Sequence, residues 1–179
     1  MFTKNIKFQG FSTQKKVKNF KNLNKKLKDL LLLKNNQLLL SLSDKYKYSF
    51  NHKQIKKYKK YSNFRLIGMG GSILGSEAIY QFLGHKIKKN FLFVNNLNPR
   101  TNKYYKRKIL NIIISKSGNT LETISNTNNL ITKKNNIFIT EKKESYLNNL
   151  AKKLKAEIFE HNNFIGGRYS VLSEVGMLP

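Results

Sequence analysis

Three isoleucines in a row, Ile112-Ile113-Ile114, close an apolar run that begins at Ile109 and leads directly into Ser115-Lys116-Ser117-Gly118-Asn119-Thr120-Leu121-Glu122-Thr123. Successive strand residues point to opposite faces, so consecutive β-branched residues suit a strand buried on both sides, as in a parallel sheet with helices on both faces. The chain from Phe64 onward repeats that demand. Apolar runs at 64–67, 91–94, 109–114, 137–140 and 156–159 predict five strands, separated by helical segments at 76–83, near Tyr104, at 121–131 and at 146–154. This alternation predicts an α/β domain of the flavodoxin/Rossmann-like kind, a five-stranded parallel sheet with helices on both faces. Ligands of such sheets sit at the carboxyl ends of the strands. The residues that follow Ile67 and Ile114 are therefore the first candidates for a site.

After Ile114 the backbone turns through Ser115, Ser117, Asn119 and Thr120, with Gly118 allowing the tight bend. A helix that starts near Thr120 leaves its first N–H groups unpaired, with the positive end of the helix dipole behind them. That arrangement is a phosphate cradle. The same residues read equally as an N-capping Ser/Thr cluster that holds no ligand.

After Ile67 comes Gly68-Met69-Gly70-Gly71-Ser72-Ile73-Leu74-Gly75-Ser76. A dinucleotide fingerprint needs glycine where Ile73 stands and an acidic ribose partner where the second strand ends in Asn95. A phosphate-binding loop of the nucleotide kind has Gly70 and Gly75 at the required spacing, but Ser76-Glu77 follows where Lys-Ser/Thr is needed. A Gly-rich turn remains, with Ser72 at a helix N-terminus. It suits a polyol or phosphate, or it packs a strand–helix connection and nothing more. A third stretch, Asn163 to Ser173, places Gly166 and Gly167 ahead of Arg168. A guanidinium beside a closely approachable backbone can stabilise an oxyanion or clamp a phosphate, and a surface arginine in a loop is the ordinary alternative.

The charge points elsewhere. Lys plus Arg is 35 against 9 Asp plus Glu, a formal +26 over 179 residues, which by itself suggests a polyanionic partner. Arginine, the usual reader of bases and phosphates, occurs only at 65, 100, 107 and 168, and the lysines are interleaved with asparagine as A-rich codons would produce. We therefore expect no nucleic-acid partner, although the field would speed encounter with a small anion. The chain has no cysteine, which excludes disulfides and thiolate metal sites. No apolar run reaches the roughly 18 residues of a membrane span, and no secretory h-region follows Met1, so no membrane association and a cytoplasmic location are expected.

Residues 1–63 read as a Lys-rich helical extension of the domain at 64–179. Val17, Phe20, Leu23, Leu27, Leu30 and Leu31 recur at helical spacing, with Asn35-Asn36 ending the helix. Leu38 to Leu40 can add a turn, and Asn51 can cap a short helix that carries Ile55 and Tyr58. His52, among lysines, reads as a surface residue.

Gly-Met-Gly-Gly-Ser at 68–72, Ser-Lys-Ser-Gly-Asn-Thr-Leu-Glu-Thr at 115–123 and Gly-Gly-Arg-Tyr-Ser at 166–170, in this order, resemble the phosphoglucose isomerase family of the sugar-isomerase (SIS) domain superfamily. Ser-Lys-Ser-Gly-Asn-Thr alone marks an SIS phosphosugar site, whereas Gly-Gly-Arg-Tyr-Ser is particular to the isomerase. The resemblance covers about 64–179, and Glu174 departs from it by standing where a small residue is expected. It implies that Ser115, the backbone of Lys116, Ser117 and Thr120 hold the sugar phosphate, that Gly71 and Ser72 line the sugar site, and that Gly167 with Arg168 stabilises an enediolate. Glu122 resembles the family's acidic residue near the site, and a first-turn carboxylate is also favoured there by the helix dipole.

The implied activity is interconversion of glucose 6-phosphate and fructose 6-phosphate, in glycolysis and gluconeogenesis, with neither metal nor cofactor and by a typically dimeric protein. The family's general base and its ring-opening His and Lys lie in later motifs. None of Glu77, Glu141, Glu144, Glu157, Glu160, Glu174, His85 or His161 stands in a matching context. The expectation is thus the N-terminal part of an isomerase, inactive alone. A non-catalytic SIS module that binds a phosphosugar and regulates something else is the alternative, and it would not need Gly-Gly-Arg-Tyr-Ser.

Overall fold

The structure is a computed structural model that describes residues 20–33, 36–97 and 108–179. The chain divides into two compact units, residues 1–36 and 37–179. In the first, helix α1 spans Phe20–Leu31 and carries the three- and four-residue spacing of Leu23, Leu27, Leu30 and Leu31. Val17 and the crossover expected near Tyr104 lie outside the described residues, as do Arg100 and Arg107.

In the second unit the order is α2 (Gln37–Leu40), α3 (His52–Lys56), β1 (Asn63–Ile67), α4 (Leu74–Leu83), β2 (Asn90–Val94), β3 (Ile109–Ile114), α5 (Leu121–Leu130), β4 (Asn136–Thr140), α6 (Tyr146–Lys153), β5 (Glu157–Glu160) and α7 (Glu174–Met177). The strands form one sheet in the order β2-β1-β3-β4-β5, and every neighbouring pair is parallel. The chain leaves β1 for β2 on one side and returns to β3 on the other. The carboxyl ends of β1 and β3 are consequently the switch point, where open α/β sheets bind ligands. The α/β class and the parallel sheet are as the sequence predicted.

Both sheet faces are buried, which is why the strands read as continuous apolar runs. Leu66, Leu110, Ile112, Ile114, Ile137, Ile139 and Phe159 line one face and pack with Ile73 before α4 and Val175 in α7. The alternate residues Ile67, Ile113 and Phe138 line the other, beneath Leu147 and Ala151 of α6 and Ile124 and Leu130 of α5. Burying each of these side chains contributes about 1.5–3 kcal/mol, enough for the pattern to fix the register.

Two starts have different local causes. Asn51 caps α3 through a complete capping box with Gln54, as its side-chain chemistry suggests. Between β1 and α4, residues Gly70–Ser72 form a 3-10 turn and α4 begins at Leu74, so the N-cap is Ile73 and Ser72 stands before it. Left-handed Gly70, at φ 52°, makes that turn possible.

Residues 46–58 are bound to the same unit. The carboxylate of Glu174 is wholly buried and accepts hydrogen bonds from the Tyr46 hydroxyl and the Ser49 N–H, each at 2.7 Å. Phe50 meets Phe159 edge to face at 6.2 Å, and the Tyr58 hydroxyl donates to Glu157.

Candidate functional site at the carboxyl ends of β1 and β3

The turn after β3 is fastened from behind. Its outward acceptors are taken by the β4–α6 segment: the Glu141 N–H donates to the Lys116 carbonyl (3.1 Å), the Leu147 N–H to the Gly118 carbonyl (3.0 Å) and the Tyr146 N–H to Asn119 Oδ1 (2.8 Å). Gly118, at φ 68°, lies so close that a Cβ there would stand 2.1 Å from Ser145 Oγ. Glycine is therefore required twice over, by conformation and by space.

What remains is a row of hydroxyls, with Ser117 exposed, Thr120 half-buried and Ser115 buried beneath them. The hydroxyls of Ser115 and Thr120 lie 3.1 Å apart and those of Ser117 and Thr120 3.4 Å apart. Ser115 also accepts the Gly118 N–H at 3.2 Å, and Ser117 accepts the Asn119 N–H at 3.2 Å. Thr120 occupies the N-cap of α5, yet no side chain caps the helix, and the Ile124 N–H, bonded to the Thr120 carbonyl at 2.9 Å, opens its ladder. The Thr120 hydroxyl has turned away from the helix toward the two serines. The reading of this cluster as a side-chain cap is thereby set aside: the first-turn N–H groups of α5 remain available, with the dipole's positive end behind them. Glu122, half-buried, lies in that first turn.

Lys116 uses its side chain elsewhere. Its ammonium donates to the Asn163 carbonyl at 2.6 Å and lies 3.6 Å from Glu141, which is also paired with Lys143 at 2.6 Å. Burial pushes the Glu141 carboxyl up, but the Lys143 hydrogen bond and the two ammonium charges outweigh it and hold the group below its ordinary value. Lys116 thus ties the turn after β3 to the loop that carries Gly166-Gly167-Arg168.

That loop meets the Gly-rich turn after β1. A Cβ on Gly71 would fall 2.1 Å from the carbonyl oxygen of Gly167 and 3.0 Å from the Arg168 nitrogen, so the two backbones touch at glycine. Ser170, fully buried, donates from one hydroxyl to the carbonyls of Gly71 (3.1 Å) and Gly167 (2.7 Å). Gly68 closes the remaining gap, since a Cβ there would stand 3.0 Å from the Ile114 carbonyl oxygen. Arg168 itself is exposed and makes no hydrogen bond or ion pair among the described residues. The three stretches singled out in the sequence therefore form one contiguous surface, with Gly71, Gly167 and Arg168 in contact and Ser115, Ser117 and Thr120 clustered.

Sequence reasoning missed the support under this surface. His161 is 1 % exposed, with Nδ1 3.0 Å from the Asn162 carbonyl and no partner for Nε2 among the described residues. Burial, with Lys116 nearby, pushes its pKa below the ordinary value. Glu174 is the second. Burial and the bond to Glu174 push the Tyr46 hydroxyl's pKa up, and Asn162 donates to the same hydroxyl at 2.8 Å. A carboxylate set in the apolar stretch Val171-Leu172-Ser173-Glu174-Val175 was the available signal, because such a group must find partners inside.

A family profile for phosphoglucose isomerase matches residues 52–179. The glucose-6-phosphate isomerase of Methanocaldococcus jannaschii is 38% identical over 145 residues, covering 74% of this chain and 35% of that protein. That of Borrelia garinii subsp. bavariensis is 37% identical over 138 residues, 66% of this chain and 26% of that protein. The chain thus spans about a third or less of the length of these curated relatives. Among solved structures, a hypothetical protein of Thermus thermophilus superposes with a TM-score of 0.65 at 23% identity, covering 90% of this chain and 46% of that one. The tagatose-6-phosphate ketose/aldose isomerase of Escherichia coli gives 0.51 at 18% identity, over 70% of this chain and 40% of that one. These two likenesses concern the fold.

Proposed function

The chain belongs to the phosphoglucose isomerase family, and from that premise we propose that it supplies the phosphosugar-binding part of a glucose-6-phosphate isomerase. One observation carries the reading: the turn after β3 spends its acceptors on α6 and keeps three hydroxyls and an uncapped helix N-terminus for an anion. The hydroxyls of Ser115, Ser117 and Thr120, with the Lys116 backbone, take the phosphate of glucose 6-phosphate or fructose 6-phosphate. Charge-assisted hydrogen bonds to such an anion contribute about 1.5–3 kcal/mol each. Gly71 and Ser72 line the sugar, and a side chain at 71 would strike the Gly167 carbonyl and push apart the two loops that form the site.

Arg168, exposed and free of internal partners among the described residues, is assigned to the charge that develops when the C2 proton leaves and an enediolate forms. Gly167 lets the sugar approach. Glu122 is an accessory acidic group. The base that moves the proton between C2 and C1, and the pair that opens the ring, are assigned to residues outside 1–179, as the family resemblance implies. Within this chain, Glu141, Glu157 and Glu174 are already engaged with Lys143, Lys57 and Tyr46. The reaction so assigned uses no metal or cofactor. We assign the complete protein to the cytoplasm, as a homodimer acting in glycolysis and gluconeogenesis.

The test is a chimera in which residues 52–179 replace the matching segment of the Methanocaldococcus jannaschii relative. A folded chimera should interconvert the two sugar phosphates, and Arg168→Ala should lower its kcat by on the order of 10²–10³-fold, the usual loss for one preorganised electrostatic group. A folded but inactive chimera, or one indifferent to Arg168→Ala, contradicts the assignment. The non-catalytic reading predicts that second result, because a binding module has no need of Arg168.

A further inference from the structure

The amino ends of the strands, opposite the phosphosugar surface, carry a cleft of about 330 Å³ lined by Lys57, Lys133, Lys134 and Lys155 with Tyr58 and Tyr61. It lies at the starts of β1, β3, β4 and β5, and the six residues of β3 separate it from the turn at 115–120 by roughly 20 Å. The one carboxylate in its lining, Glu157, is already held by Lys57 at 2.6 Å and by the Tyr58 hydroxyl. Lys133, Lys134 and Lys155 have no carboxylate within ion-pair distance among the described residues. Two more ammoniums, those of Lys60 and Lys108, stand 5.7 and 5.5 Å from the Tyr61 ring centre.

A chain with 35 Lys and Arg has lysine on many surfaces, so number alone decides nothing. The backbone adds an independent observation. Among the described residues, the non-glycine positions with positive φ are Asn135 (64°) and Lys155 (51°), and both line this cleft. Lys155 directly follows the C-cap of α6, where helices favour glycine, and a lysine is strained in that left-handed conformation. Asn135 is pinned by the Tyr61 hydroxyl at 2.7 Å. The strained lysine thus stands beside others that no acid neutralises.

We propose that this cleft binds a short chain of phosphates carried by a small molecule, at a site separate from the phosphosugar surface and independent of the function assigned to it. Three ammoniums that no carboxylate neutralises, each with three N–H donors, line one cleft and suit a ligand with several anionic oxygens. The volume suits a small ligand. A nucleic-acid strand fits less well, because the rings that would stack bases are occupied: Tyr61 is 6 % exposed beneath two lysines and the Tyr58 hydroxyl is bonded to Glu157.

Calorimetric titration of the 179-residue chain with inorganic tripolyphosphate tests the proposal. Lys133→Gln/Lys134→Gln/Lys155→Gly should weaken binding about tenfold or more and flatten its salt dependence. Lys155→Gly alone should bind more weakly while melting no lower than the parent, which separates ligand contact from folding. A charge-matched control, Lys53→Gln/Lys86→Gln/Lys88→Gln, should bind as the parent does. Equal binding by a nucleoside triphosphate and by tripolyphosphate supports recognition of the phosphate chain. The proposal is overturned if the cleft variants bind unchanged or the control loses as much affinity. It is equally overturned if Ser117→Ala/Thr120→Ala abolishes binding, or if a single-stranded oligonucleotide binds far more tightly per phosphate with the same lysine dependence.

Discussion

Gly71→Ala should break the junction between the two glycine-containing loops and leave the rest of the sheet intact. The new methyl carbon would lie 2.1 Å from the Gly167 oxygen and 2.3 Å from its carbonyl carbon, so the loops must part by roughly 1 Å or more. Forcing backbone in this way costs about 1–3 kcal/mol. Separation also stretches the Ser170 hydrogen bond to the Gly71 carbonyl, for which about 0.5–1.5 kcal/mol is typical. The stiffer unfolded chain returns some 0.4–1 kcal/mol, leaving a net loss of about 0.5–4 kcal/mol.

Gly70→Ala is the comparison. Its φ of 52° makes alanine strained by about 1–2 kcal/mol, but a Cβ there meets nothing within 4 Å. Urea denaturation should find the two variants similarly destabilised. Titration with fructose 6-phosphate should separate them, with affinity reduced about tenfold in Gly71→Ala, equivalent to about 1.4 kcal/mol, and little changed in Gly70→Ala. If Gly71→Ala keeps the parent's stability and affinity, the loops do not meet as described and the contiguous surface is refuted.

Glu174→Ala should cost roughly 1.5–3 kcal/mol by chemical denaturation, because it removes a wholly buried carboxylate that accepts from the half-buried Tyr46 hydroxyl and the Ser49 N–H; a loss below about 0.5 kcal/mol would show that the carboxylate is dispensable. Stability should fall as pH drops below about 6.5, since His161 is held neutral when folded and the unfolded chain binds the extra proton first. His161→Gln should flatten the profile between about 6.5 and 4.5, below which the depressed Glu141 adds its own acid loss, and an unchanged slope would remove His161 from the account. With the base and ring-opening groups assigned outside it, the 179-residue chain alone should show no appreciable isomerisation in a coupled assay, a loss on the order of 10⁴-fold or more. Turnover near that of a full-length relative would place the base inside this chain, with Glu122 the first residue to replace.

The sheet was legible because its two faces are both apolar: runs such as Ile109–Ile114 have no solvent side to blur them, and each strand begins and ends within a residue of its predicted limits. The turn after β3 was legible because a glycine among hydroxyls directly after an apolar run marks a strand end. Whether Thr120 caps the helix was not, since that depends on which way its hydroxyl turns, and Ser115 and Ser117 compete with the helix for the same atom. Ser72 was misplaced at the N-terminus of α4 because left-handed Gly70 inserts a 3-10 turn that leaves no mark on the apolar pattern. Residues 46–49 gave no motif at all. Their role comes from one distant carboxylate, Glu174, and a contact across more than a hundred residues has no local periodicity to betray it.

The proposed function depends above all on the turn at 115–120 holding the phosphate of a sugar phosphate. Titration of the 179-residue chain and of Ser117→Ala/Thr120→Ala with fructose 6-phosphate, followed by amide chemical shifts, tests it most directly. The account predicts shifts concentrated at residues 115–123 in the parent and affinity reduced at least about tenfold in the variant, for two lost charge-assisted hydrogen bonds. Equal affinities, or shifts that leave residues 115–123 unmoved, would contradict it.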